Sequence, residues 1–90
     1  MELIRKLRVT NELGIHARAA AKIVELAGRY RSSIYLKKDD KEVDGSSILA
    51  ILTLACPKGT DIQVRAVGAD SERLMSKLTE LFEKRFDETG

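Results

Sequence analysis

Residues 3–28, LIRKLRVTNELGIHARAAAKIVELAG, change their period halfway along. Leu3, Leu7 and Val9 share one parity while Lys6 and Arg8 take the other. The first part therefore reads as a strand with one buried face, although Ile4 and Arg5 break the alternation. TNELG then interrupts with turn residues. From His16 onward, Ala20, Ile23, Val24 and Ala27 recur at helical spacing, and Arg18, Lys22, Glu25 and Arg29 fall on more polar faces. Glu25 and Arg29 stand four apart in the favourable order, and Gly28 is a plausible stop.

Downstream, SSIYLKK alternates again, with Ile34 and Leu36 on one side and Tyr35 and Lys37 on the other. A polar KDD turn leads to KEVDG, a short third strand. SSILAILTLA is too continuously apolar for periodicity to decide, but serines before it and CPKG after it favour a short helix. Ile62, Val64 and Ala66 mark the buried side of a fourth strand. A last amphipathic helix follows, with Leu74, Leu78, Leu81 and Phe82 as its stripe and Asp70 as its expected N-cap. The order βαββαβα predicts an α+β fold in which helices cover one face of a sheet and the other face meets water.

The totals narrow the function. Ninety residues make one domain, residues 1–90, with a single modest core that buries ~60–65% of the unfolded chain's surface. That size suits a carrier, a binding module or a regulatory domain better than a large multi-step enzyme. A net charge of +2 with interspersed signs, and no tryptophan, gives little support for nucleic-acid binding. Cys56 is the lone cysteine, so no internal disulfide and no metal cluster is spelled out, and it reads as a small semi-buried thiol. MELIRKLRVT lacks the apolar core of a signal peptide, and ILAILTLAC is too short to span a bilayer. The expected location is the cytoplasm, without membrane insertion.

His16 is the single histidine, and it stands at the mouth of the first helix. A capping or merely surface role is the ordinary expectation there. A chemical role has a physical basis too. Helix starts leave N–H groups without partners, and their dipole disfavours an imidazolium. A neutral ring nitrogen is a nucleophile. A phosphoryl group accepted there becomes an anion at an anion-binding position, within reach of Arg18. Gly14 lets the chain turn tightly into the helix. A metal site would have only carboxylates to add to this histidine, and a Ser-His-Asp hydrolase needs a pocket that so small a domain seldom builds.

TNELGIHARAAAKIVELA resembles the active-site segment of the HPr family, the histidine-containing phosphocarriers of the bacterial phosphoenolpyruvate-dependent phosphotransferase system. VDGSSILAILTLACPKGTDIQVRAVGADSERL is similar to that family's second half. LFEKRF and the opening motif also resemble its nitrogen-related branch, NPr, and the sugar branch fits as well. The resemblance implies an open-faced β-sandwich, a four-stranded antiparallel sheet with three helices on one face. It implies that His16 takes a phosphoryl group on Nδ1 from phosphorylated enzyme I and passes it to a histidine of an enzyme IIA protein. Arg18 would stabilise that state, and the backbone N–H groups of Ala17 and Arg18 would help hold the phosphate. No cofactor is implied. The family motif usually has proline directly after this arginine, whereas Ala19 stands here. Alanine preserves the helix and loosens the chain around Arg18.

The same resemblance places the family's regulatory serine at Ser47, the target of an HPr kinase/phosphorylase in organisms that have one. Capping of the short helix by Ser46 or Ser47 is compatible with that role. That helix has more apolar residues than one buried stripe can use. Ile51 and Leu54 are expected in the core, leaving Ile48, Leu49 and Leu52 as a partly exposed docking patch near His16. Arg18, Lys22 and Arg29 would ring it with positive charge, as suits a carrier that docks and leaves quickly. A monomer is the natural state for such a shuttle. The alternative is a regulatory binding module of the same fold, acting mainly through Ser47 and the patch.

Overall fold

The computed structural model describes residues 1–88. Its elements run β1 (Glu2–Arg8), α1 (Ala17–Ala27), β2 (Ser32–Lys38), β3 (Lys41–Asp44), α2 (Ile48–Leu52), β4 (Asp61–Gly68) and α3 (Ser71–Glu83). A three-residue turn, Arg85–Asp87, follows α3 and was not expected from the sequence. The four strands form one sheet in the order β1-β4-β2-β3, and every pairing is antiparallel. This is the expected open-faced sandwich.

The parity of each strand sets the layers. Leu7, Ile34, Leu36, Ile62, Val64 and Ala66 point from the sheet into one core with Ala20 and Ile23 of α1 and Leu74, Met75 and Leu78 of α3. The predicted stripe of α3 needs one change: Met75 is buried, while Leu81 only packs against the core from its margin. Ile51 and Leu54 are buried, as the excess of apolar residues in and around α2 required.

Ile4 and Arg5 obey the pleat after all. Ile4 lies opposite Arg65 on the open face and is 56% exposed. Arg65 is pinned there by Glu42 at 3.0 Å and Glu2 at 3.2 Å, and its guanidinium lies 4.3 Å from the Tyr35 ring centre. Arg5, on the opposite parity, reaches from edge strand β1 to Thr79 Oγ1 of α3 at 2.9 Å. A long side chain at a sheet edge can cover apolar surface with its stem and keep its head in water.

Asp70 occupies the N-cap position of α3, but its side chain caps nothing. The carboxylate instead accepts the backbone N–H of Arg31 at 2.8 Å, tying the start of α3 to the loop that leads into β2. Gly28 ends α1 with a right-handed φ of −70°, so no backbone constraint demands glycine there. Glu25 and Arg29 do meet, at 2.6 Å.

Candidate functional site

The loop between β1 and α1 is built from Asn11 outward. Asn11 is buried, and its Nδ2 donates to the Gly14 carbonyl at 2.7 Å while the Gly14 N–H returns to the Asn11 carbonyl at 3.2 Å. Gly14 takes φ +68°. A Cβ there would overlap the Cys56 carbonyl oxygen and stand 2.8 Å from Pro57 Cα, so this position needs glycine for both conformation and space. Ile15 donates to the same Cys56 carbonyl at 2.9 Å and buries its side chain. The turn is thereby clamped to the loop after α2. Cys56 itself is buried, which pushes its thiol pKa up, against a smaller opposing effect of Lys38. It fits an inert packing role.

From this clamp the chain enters α1 through His16, which is extended (φ −84°, ψ −179°) and is the helix N-cap. Its Nδ1 accepts from the backbone N–H groups of Arg18 at 3.2 Å and Ala19 at 3.4 Å. Serine, threonine or aspartate usually plays this part. The consequence for an imidazole is specific. A nitrogen that accepts two N–H groups carries a lone pair and no proton, so the neutral ring holds its hydrogen on Nε2. The cap thus presents an unprotonated Nδ1 at the positive end of the helix dipole.

Nε2 points the other way, 3.4 Å from Glu88 Oε2. That carboxylate also accepts from Asn11 Nδ2 at 2.8 Å and from the Leu13 N–H at 3.1 Å. These bonds, the one from Asn11 first, hold its carboxyl below the usual carboxylate range, although partial burial opposes them. Glu88 arrives by way of Arg85, Phe86 and Asp87, all in the left-handed region with φ of 55°, 55° and 58°. Phe86 is buried against Phe82, ring centres 4.8 Å apart.

The residues singled out from the sequence separate into groups. Arg18 and Ala17 are exposed beside His16, and the Arg18 guanidinium makes no ion pair among the described residues. The N–H groups aimed at the ring are those of Arg18 and Ala19. Ala17 is the first helical residue. Lys22 is engaged within the molecule: its Nζ donates to the Phe86 carbonyl at 2.8 Å and lies 3.4 Å from Asp87. Ser47 caps α2, accepting the Ala50 N–H on Oγ at 3.1 Å. Ile48 and Leu49 are 38% and 77% exposed, and Leu52 is half-buried, as the surplus of apolar residues predicts.

Asn11 and Glu88 had no site role in the sequence reading, and Ala19 entered it only as the residue in place of the family's usual proline. Asn11 passed for an ordinary turn residue. Glu88 lies past the last periodic segment, and its route over His16 depends on three left-handed residues of which none is glycine. No three His, Cys, Asp or Glu side chains gather into a metal-binding group among the described residues. Among the described residues no helix is long and apolar enough to cross a membrane.

Comparison with known proteins converges on one family. Residues 3–84 match the family model for the PTS HPr component phosphorylation site. The phosphocarrier protein HPr of Xylella fastidiosa strain Temecula1 is 44% identical over 86 residues, covering 96% of this chain and 97% of that protein. The HPr of Pseudomonas aeruginosa is 40% identical over 92% of this chain and 93% of its own length. Among solved structures, HPr from Thermoanaerobacter tengcongensis superposes with a TM-score of 0.92 at 33% identity, covering 98% of this chain and 99% of that one. HPr from Bacillus anthracis gives 0.85 at 31%, covering 90% and 96%. With its histidine at the same helix mouth that the sequence motif marked out, the chain belongs to the HPr family of phosphocarriers of the phosphotransferase system.

Proposed function

We propose that His16 accepts a phosphoryl group on Nδ1 from phosphorylated enzyme I and delivers it to a histidine of an enzyme IIA protein. The observation that carries this reading is the position of His16 Nδ1, which accepts the N–H groups of Arg18 and Ala19 at the mouth of α1. In the forward step the Nδ1–P bond forms as the donor's P–N bond breaks. In the onward step the Nδ1–P bond breaks, and its electrons stay on Nδ1. Once Nδ1 carries phosphorus it no longer accepts a hydrogen bond. The N–H groups of Arg18 and Ala19 are then released, and those of the first turn, Ala17 and Arg18 among them, can turn to the phosphate oxygens. The Arg18 guanidinium, which makes no ion pair among the described residues, adds a charge-assisted contact. The chain is a carrier, and each transfer uses the active site of a partner.

Docking is assigned to the exposed Ile48 and Leu49, with Leu52 behind them and Arg18 at the rim. Lys22 contributes only where partner contact competes with its bonds to Phe86 and Asp87. The protein acts as a monomer.

A second reading has one observation in its favour. Ser47 Oγ sits at the first turn of α2, beside the exposed Ile48. Phosphorylation there by a kinase of the HPr kinase/phosphorylase type would place negative charge next to the docking patch and repel an acidic partner.

The test combines the protein with phosphoenolpyruvate, magnesium and a cognate enzyme I. One acid-labile phosphoryl group is expected, absent in His16→Ala. A folded protein that takes up none, with an enzyme I proven active on another carrier, removes the phosphocarrier reading and promotes the regulatory one.

A further inference from the structure

We propose that Glu88 is a positioning residue for His16, fixing the ring with its hydrogen on Nε2 and keeping that hydrogen in place through the transfer cycle. This inference rests on the phosphocarrier reading for its kinetic part only.

The carboxylate is delivered to the ring by a built path. Phe86 is buried against Phe82, and its carbonyl receives Lys22 Nζ at 2.8 Å. Asp87 takes the same ammonium at 3.4 Å. Three successive left-handed residues then turn the chain back over the mouth of α1. Left-handed backbone without glycine is costly, and it persists where the surroundings over-determine it. Here the turn ends with Glu88 Oε1 on the Leu13 N–H and Oε2 shared between Asn11 and the His16 ring. The Glu88 side chain is 14% exposed. Residues 3–84 matched by the family model stop short of it.

The other charged groups around the depression are occupied elsewhere or carry the opposite sign. Glu12 pairs with Lys58 at 2.6 Å, Asp87 with Lys22, and Arg18 is cationic. Glu88 is thus the carboxylate that faces the ring among the described residues.

The chemical consequence concerns the leaving group. A phosphorylated imidazole that keeps hydrogen on the distal nitrogen departs as neutral imidazole. One that has lost it must depart as an imidazolide anion, a far poorer leaving group. A carboxylate facing Nε2 holds the hydrogen there and balances the positive charge of the phosphorylated ring, as carboxylates do behind metal-bound histidines. No proton is gained or lost in the cycle: the ring begins and ends as the Nε2–H form.

Glu88→Gln and Glu88→Ala test this by two readouts. The first is the 15N spectrum of His16 in the unphosphorylated protein at pH 8, which reports the tautomer directly. The parent is expected almost entirely as Nε2–H. Glu88→Ala should retain that form in large part, through the helix N–H groups, but with a measurable Nδ1–H fraction. The second is single-turnover transfer from the phosphorylated protein to an enzyme IIA between pH 6 and 9. Glu88→Gln should be slower by about tenfold at the alkaline end and close to the parent at the acid end, with the concentration dependence on enzyme IIA unchanged. A unit drop at all pH values, or a tautomer and pH profile identical to the parent in both variants, overturns the proposal. If the parent takes no phosphate at all, the phosphocarrier reading fails, and the tautomer measurement still decides the role of Glu88.

Discussion

Helices α1 and α2 begin in the same way and differ in what caps them. His16 and Ser47 are both extended residues whose side chains accept N–H groups from the first turn. The serine cap accepts through a hydroxyl oxygen that keeps spare lone pairs, so a substituent on that oxygen need not abolish capping. The histidine cap uses the lone pair of the very atom that would react. At α1, capping and chemistry are therefore mutually exclusive states of one nitrogen, and at α2 they are compatible. The first arrangement suits a group that must be loaded and unloaded; the second suits a mark that leaves the fold as it is.

The sharpest way to separate the two functions of His16 is to keep the cap and remove the nucleophile. Asparagine caps through its side-chain oxygen about as well as any residue. His16→Asn should lose all phosphoryl uptake while its unfolding free energy stays close to the parent's in urea titration. His16→Ala should lose uptake as well, together with about 1 kcal/mol of stability. Equal stability of the two variants would mean that the Nδ1 bonds contribute nothing as a cap.

The approaches to the two caps also differ. Asp44 Oδ1 receives the Ser46 N–H at 2.8 Å, an unstrained local turn, whereas His16 is delivered by Gly14 at φ +68° against the Cys56 carbonyl. Gly14→Ala should cost about 1–3 kcal/mol for the left-handed backbone alone. The overlap with the Cys56 carbonyl should also displace residues 11–16, visible as shifted amide signals of Ile15, His16 and Arg18. A variant with parental stability and spectrum would show that the turn has another low-energy geometry.

Ser47→Ala should be milder, costing about 1 kcal/mol, with hydrogen exchange of the Ala50 amide accelerated and uptake at His16 unchanged. Ser47→Asp restores a capping oxygen with a charge that the helix dipole favours, so its stability should return toward the parent's. Loss of His16 phosphorylation in Ser47→Ala would tie the two caps together in a way their geometry does not suggest.

Much of this contrast was legible beforehand. Period-2 and period-3.6 patterns, with the flanking serines and CPKG for α2, marked out the element order, and the lone histidine at a helix mouth marked the site. The serines before the apolar run announced a cap at Ser46 or Ser47, and Ser47 supplies it. What stayed hidden depends on tertiary closure. Asp70 has the residue type of an N-cap, yet the Arg31 N–H outbids its own helix. Lys22 looks like a free surface charge until the chain after α3 folds back onto it. Glu88 has no periodic neighbours, and the left-handed path that carries it is favoured by no residue in it.

Ala19 illustrates the same limit on a smaller scale. The sequence suggests that proline at this early helical position forfeits no needed bond. In the structure the Ala19 N–H is used, at 3.4 Å from His16 Nδ1. Ala19→Pro would remove that donor and leave the shorter Arg18 bond. Such a long bond contributes no more than about 1 kcal/mol, so uptake should persist with a rate within about fivefold of the parent. A variant that transfers phosphate when the parent cannot would show instead that the family's proline supplies something alanine lacks.

The finest distinction between the two caps lies in the carboxylates that support them. Glu88 is held below the usual carboxylate range by Asn11 first and also by the Leu13 N–H and His16, and Asp44 by the Ser46 N–H and hydroxyl. A carboxylate with a lowered pKa in the folded state contributes stability that is fully present above its unfolded pKa and fades as pH falls through the folded value. Both supports should therefore be intact at neutral pH and be lost only below about pH 4. Amide shifts of Leu13 and Ser46, followed from pH 6 to pH 2.5, report the two separately. Each should titrate with a midpoint below that of an unperturbed carboxylate. Only the Leu13 transition should disappear in Glu88→Gln, because the α2 cap shares no group with the strap over α1. A Leu13 midpoint at the ordinary glutamate value would show that Glu88 spends much of its time off the loop, and that His16 relies on its helix N–H groups alone.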